Sequence, residues 1–136
     1  MKIPFSKSLK GHSDADVAMH AITDAIYGAI AEGDIGTWFP PDNPKWKNAK
    51  SKIFLDHASK LVTEKGYMIS NIDCTIICEE PKIQPHAQKM IQYLSEVLLI
   101  DEERISVKAT TNEKLGYIGR KEGIAAQAIA TVLKND

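Results

Sequence analysis

Cysteine is scarce in this chain, long apolar runs are missing and net charge is almost nil. The two cysteines, Cys74 and Cys78, fall in "NIDCTIIC", which reads as a strand. Four residues of strand advance the backbone about 13 Å, beyond the roughly 7 Å between Cα atoms that a disulfide tolerates. A C-x3-C spacing on a strand is also a poor zinc framework, so small buried thiols are expected. The N-terminal "MKIPFSKSLK" has no apolar secretory core, and no stretch reaches the length of a membrane span. The expectation is a cytoplasmic chain with no membrane partner. Seventeen basic against eighteen acidic side chains give −1, which leaves no overall field for nucleic acid or anionic lipid. Any anionic ligand must be met by local groups. No repeat or low-complexity tract interrupts the 136 residues, and 43% hydrophobic with 26% charged residues is a globular composition. One domain over 1–136 follows, able to bury roughly two thirds of its unfolded surface.

The stretch Gly11–Asp34 reads as a helix. Ser13 can cap it with Asp16 three residues on, and Gly33 supplies a left-handed stop. Ala18, Met19, Ile22, Ala25, Ile26, Ala29 and Ile30 fall on one arc. His20 lies opposite, on a stripe with Asp16 and Asp24, where it is either a metal ligand or plain surface. Residues 33–50 form a turn-rich loop of a length usually reserved for function. Ser51 then caps a second helix with Phe54, Leu55, Ala58, Leu61 and Val62 inward, and Gly66 ends it. A strand runs through Ile72 to Cys78, and a third helix from near Pro85 carries Met90, Ile91, Leu94, Val97 and Leu98. "RISVKATT" is a second strand. The alanine-rich "IAAQAIATVL" fits helix or strand. Alternating strands and helices argue for a two-layer sandwich, an α+β fold with a mixed sheet and helices packed on one face.

Three loops carry polar groups beside strand or helix ends, where sites collect. In "GHSD", His12 and Ser13 precede helix N–H groups that favour a phosphate, or else Ser13 merely caps. In "EEPKIQPH", prolines stiffen a backbone able to read a base edge, or simply connect strand to helix. In "KATTNEKLGYIGR", Thr110 and Thr111 offer hydroxyls and Glu113 a hard oxygen ligand of the kind magnesium takes. Lys108, Lys114 and Arg120 there can balance anionic charge.

Taken together, "HSDADVAMHAITDAIYGAIAEGDIG", "FPPDNPKWKNA", "NIDCTIICEEPKIQPH" and "VKATTNEKLGYIGRKEGIA" resemble the 2-C-methyl-D-erythritol 2,4-cyclodiphosphate synthase family over essentially the whole chain. The resemblance implies a homotrimer with active sites between subunits and a cytidine-diphosphate-linked substrate. The substrate's 2-phosphate attacks its own β-phosphorus, and CMP leaves. His20 matches a zinc ligand, and Glu113 the carboxylate of a second ion, Mg2+ or Mn2+. His12 and Thr111 match the pair that steadies the transition state, with Ser13 on the methylerythritol moiety. Asp34 matches the residue that holds the ribose hydroxyls, beside Ile35 and Gly36. Phe39, Asp42 and Asn43 in the following loop are expected to line the substrate. Cys78, Pro81, Lys82, Ile83 and Gln84 match the cytosine-binding segment. Thr110, Asn112, Tyr117 and Arg120 complete the late substrate loop.

The chain also departs from the family pattern. A D-x-H motif that completes the family's zinc site has no counterpart ahead of Gly11, so the resemblance implies an N-terminally truncated domain. Pro41 stands where aspartate is common. A nucleotide-binding trimer with impaired catalysis is therefore the alternative expectation. The setting is bacterial cytoplasm, or a plastid in a eukaryote.

Overall fold

The computed structural model describes residues 13–46, 49–78, 86–111, 116 and 124–136. Helices α1 (Ser13–Ala29), α2 (Ile35–Trp38) and α3 (Ser51–Glu64) precede strand β1 (Tyr67–Ile77). Helix α4 (Ala87–Leu98), strand β2 (Ile105–Thr110) and strand β3 (Ala125–Lys134) follow. The sheet order is β2-β1-β3, with β1 parallel to β2 and antiparallel to β3. A parallel pair needs a long crossover, and α4 supplies it. Helix α1 lies against β3, α4 against β2, and α3 packs between the two helices over β1. The mixed-sheet, one-sided α+β expectation holds. No helix among the described residues is long and apolar enough to cross a membrane.

The alanine-rich tail is strand. Ala126, Ala128, Ala130 and Val132 pack towards the core, while Gln127, Ile129, Thr131 and Leu133 are exposed. Pairing with β1 overrides alanine's helical preference, and the small side chains leave room for α1. Beneath the helices lie Ile72, Cys74 and Ile76 of β1 with Ile105 and Val107 of β2, all buried. The alternation breaks at Ser70, where the register with β3 slips between Ile69 and Asn71, a bulge that puts both Ile69 and Ile72 inside. Cys74 and Cys78 are buried as expected and are not joined to each other. Burial, with a smaller contribution from Asp73, pushes the Cys74 thiol up to about 11.

Several sequence expectations are corrected. The inner arc of α1 is rotated: Ala15, Thr23 and Tyr27 are buried, whereas Ala25 is half-buried and Ala29 exposed. Thr23 is tolerated because its hydroxyl donates to the Met19 carbonyl at 2.8 Å. Helix α1 ends before Gly33. Glu32 N–H returns to the Tyr27 carbonyl and Ala31 N–H to that of Gly28, a Schellman closure with Ala31 in the left-handed position at φ 57°. Gly33 has its own reason. At φ +85° a Cβ there would meet the Thr37 hydroxyl at 2.8 Å.

Ser13 already lies within α1, so any cap precedes the described residues. Ser51 is likewise a helical residue, after an N-cap at Lys50 that makes no side-chain bond; its hydroxyl is used elsewhere. Leu61, Ile91 and Val97 are half-buried, β1 begins earlier than Ile72, and α4 starts at Ala87, Pro85 lying outside the described residues. Gly66 does close α3, at φ +86°.

The sheet's second face is uncovered among the described residues. Met68, Ile129 and Leu133 are exposed there, and Lys108 forms an ion pair with Asp73 at 3.1 Å.

Two substitutions test this packing in opposite directions. Leu55→Ala, at a fully buried site, is expected to cost about 2–5 kcal/mol in denaturant unfolding. Ala31→Gly removes the left-handed penalty and is expected to raise stability by up to about 1 kcal/mol in the same assay.

Candidate functional site

The loop after α1 is held from both ends of α2. Asp24, one turn before the end of the helix, accepts the Ile35 N–H on Oδ1 at 2.9 Å. Asp34, in extended conformation, caps α2. Its Oδ1 accepts both the Thr37 N–H and the Thr37 hydroxyl, each at 2.9 Å. Among the described residues its Oδ2 has no hydrogen-bond partner, and the residue is exposed. A carboxylate oriented through one oxygen and open at the other is suited to accept donors from a ligand, such as a vicinal diol. Gly36 beside it is exposed.

Rings then fasten this turn to the helical layer. Both tryptophans and two of the three phenylalanines of the chain meet here with two histidines. Phe39 is buried and meets Trp46 edge-on at 4.7 Å, Phe54 at 4.9 Å and His57 edge-on at 5.3 Å between centroids. Trp38 stacks on Tyr27 and lies 5.0 Å from His57, and its indole N–H donates to the Glu32 carbonyl at 2.8 Å. The Tyr27 hydroxyl and His57 Nδ1 share a hydrogen bond of 2.6 Å. Burial, with help from Asp24, pushes the Tyr27 phenol upward, so it stays neutral through the physiological range. Phe39 is therefore an anchor of the loop, a packing role beside the substrate-lining one expected of it. Asn43 Oδ1 accepts the Lys45 N–H at 3.0 Å, and Asp42 is exposed.

His20 is exposed on α1, with its ring edge on Phe54 at 5.7 Å. The carboxylates on its stripe are both engaged: Asp16 Oδ1 accepts the Ser51 hydroxyl at 2.8 Å, and Asp24 holds Ile35. Among the described residues no group of three or more histidines, cysteines or acids could hold a metal ion. The donor set visible around His20 does not by itself fit zinc, which takes three or four protein ligands.

A second cluster forms where β1 and β2 end side by side. Ile77 is in register with Thr110, and Cys78 N–H donates to the Thr110 carbonyl at 3.0 Å. The loops after Cys78 and after Thr111 thus leave the sheet from one tied point, the C-terminal end of a parallel pair, where ligand loops gather. Thr110 and Thr111 are exposed there. Lys108, one of the cations expected to balance an anion, pairs with Asp73 in an exposed contact of 3.1 Å.

The structure thus gathers His20, Asp34, Ile35, Gly36 and Phe39 around α1–α2–α3, and Cys78, Thr110 and Thr111 at the strand ends. His12, Pro81, Lys82, Ile83, Gln84, Asn112, Glu113, Tyr117 and Arg120 lie outside the described residues, as does the Ser13 side chain. Sequence reasoning missed Asp24 as the anchor of Ile35 and missed the Tyr27–His57 pair. The clue to the first was a carboxylate one helical turn from a loop rich in unpaired N–H groups.

The chain is similar to known proteins over nearly its whole length. The YgbB family model matches residues 1–133. A bifunctional enzyme IspD/IspF of Paracoccus denitrificans is 60% identical over 134 residues, 98% of this chain but 35% of that protein. The chain thus spans about a third of the length of such relatives. A 2-C-methyl-D-erythritol 2,4-cyclodiphosphate synthase of Cereibacter sphaeroides is 57% identical, over 98% of this chain and 84% of its own. The CDP complex of IspF from Plasmodium falciparum superposes with a TM-score of 0.80 at 40% identity, covering 97% of this chain and 76% of that one.

Asp24→Ala tests the α1–α2 tie. Losing one exposed, charge-assisted bond, worth on the order of 1 kcal/mol, is expected to speed amide exchange at Ile35 about fivefold while the amides of β1 are unaffected. Unchanged exchange at Ile35 would remove Asp24 from its anchoring role.

Proposed function

Because the chain belongs to the YgbB family, we propose that it acts as a 2-C-methyl-D-erythritol 2,4-cyclodiphosphate synthase. The substrate is 4-diphosphocytidyl-2-C-methyl-D-erythritol 2-phosphate, and the pathway is non-mevalonate isoprenoid synthesis in the cytoplasm. A bond forms between a 2-phosphate oxygen and the β-phosphorus. The bond from the β-phosphorus to the bridging oxygen breaks, and its electron pair leaves with CMP. Such a step asks for in-line positioning and charge neutralisation more than for covalent help.

The observation that carries this reading is the Asp34 turn: one carboxylate oxygen is tied by Thr37, and the other has no hydrogen-bond partner among the described residues. In this reading it grips the ribose hydroxyls, with Ile35 and Gly36 alongside. Cys78, Pro81, Lys82, Ile83 and Gln84 receive cytosine. Phe39, Asp42, Asn43, Thr110, Asn112, Tyr117 and Arg120 line the substrate. His12 and Thr111 steady the developing charge, with Ser13 on the methylerythritol hydroxyls. Holding both ends of the substrate turns the attack into a ring closure of high effective concentration.

Enzymes of this family are generally metal-dependent. We assign His20 to a zinc-type ion and Glu113 to magnesium or manganese. A bound cation would neutralise phosphate charge. Among the described residues the donor set around His20 is incomplete for zinc. The uncovered sheet face, with Met68, Ile129 and Leu133 exposed, supports a homotrimer. Active sites shared between neighbours would bring the Asp34 cluster of one subunit to the strand ends of the next.

Calorimetry with CDP and chromatographic assay of CMP release test the reading together. Binding with turnover is expected, and Glu113→Gln is expected to cut divalent-dependent turnover at unchanged unfolding midpoint. Unchanged activity in that variant removes Glu113 from metal binding. CDP binding without turnover selects the impaired nucleotide-binding trimer, and no CDP binding overturns both readings.

A further inference from the structure

Helix α2 has only four residues, too short to hold its own shape in water, yet it presents the Asp34 carboxylate. Its geometry must come from outside. Asp24 fixes its first residue through the Ile35 N–H. Its last residue, Trp38, is wedged against Tyr27 and His57, and Phe39 meets the same imidazole. Tyr27 is fully buried while His57 is half-buried, so the phenol has no water to bond and its 2.6 Å contact with His57 Nδ1 serves as its partner. That bond joins α1 to α3 directly beneath Trp38 and fixes the orientation of the imidazole on which both Trp38 and Phe39 rest.

We propose that the Tyr27–His57 hydrogen bond is a latch that sets ribose affinity, with both residues acting as positioning residues for Asp34 through Trp38 and Phe39. The proposal deepens the synthase reading and rests on the role given there to Asp34. With the bond intact, the rings form a rigid floor and α2 meets a nucleotide already shaped. Without it, the imidazole can rotate, Trp38 loses its seat, and ordering the turn falls on the binding step. Affinity for the ribose hydroxyls should fall, while contacts to base and phosphates, made from other elements, are spared.

Two ring-preserving variants delete the bond from either side, Tyr27→Phe and His57→Phe. Calorimetry of the full chain with CDP and with 2′,3′-dideoxy-CDP, which lacks both ribose hydroxyls, reads the effect. Each variant is expected to weaken CDP about three- to tenfold, the range of one hydrogen bond. Dideoxy-CDP binding is expected to be unchanged. The double variant is expected to match either single one, because they remove the same interaction. Equal weakening of both nucleotides, or of neither, would overturn the latch. Asp34→Asn separates the two levels of argument. If it fails to narrow the gap between CDP and dideoxy-CDP, the ribose role of Asp34 falls and the latch with it. If it narrows the gap and the ring variants do not, the latch alone falls.

Discussion

Everything that positions the candidate site depends on α1 being satisfied on two sides at once. Its inner surface, from Ala15 through Ile26 to Ile30, is buried against the sheet layer and α3. Each buried large aliphatic side chain contributes about 1.5–3 kcal/mol, so the helix cannot shift without a large loss. The exposed stripe rides on that rigidity. Asp16 reaches α3 through Ser51 and Asp24 reaches α2 through Ile35, so both carboxylates that flank His20 are committed to neighbouring elements. A helix held this firmly can offer an imidazole at a defined place. It cannot by itself surround an ion with it.

The one-sided sheet gives the molecule two unlike surfaces. Over one face the helices seal an aliphatic core. The other carries an alternation of polar groups with Met68, Ile129 and Leu133, a surface that a second polypeptide could cover at little desolvation cost. The parallel pairing of β1 with β2 sends the segments that follow both strands out of the same end. The Asp34 turn instead hangs from the helical layer. The Asp34 turn and the strand-end threonines therefore belong to different layers.

Much of the fold was legible because apolar period and burial agree. The α3 face of Phe54, Leu55, Ala58 and Val62 and the strand "NIDCTIIC" could be read directly, and strain-free glycine stops such as Gly66 were visible. What escaped has a physical reason in each case. Ala31 holds a left-handed position that composition would assign to Gly33, because the Schellman bonds form wherever the helix runs out of core to pack on. Ser51 looks like a cap in sequence, but its hydroxyl serves a tertiary contact with Asp16, a choice no local pattern encodes. The alanine tail was ambiguous because pairing partners, not propensity, decide a strand. In the site, Asp34 and the strand-end threonines were visible as polar groups at element ends. The ring cluster was not, since Tyr27, Trp38, Phe39, Phe54 and His57 share no sequence period and meet only through tertiary packing.

At Ser70 the sheet carries one residue more on β1 than on β3. Strand β1 is in effect two short runs with opposite parity joined at a hinge that absorbs one surplus residue. Gaining or losing a residue anywhere else in the strand would turn one run inside out, driving Asp73 or Thr75 beneath the helices and Cys74 or Ile76 to the exterior. At Ser70 itself a single deletion would instead remove the surplus residue, leaving Ile69, Asn71 and Ile72 in regular alternation opposite Val132, Thr131 and Ala130. A change in the length of this strand is therefore absorbed at the bulge or at the two ends, and not within either run.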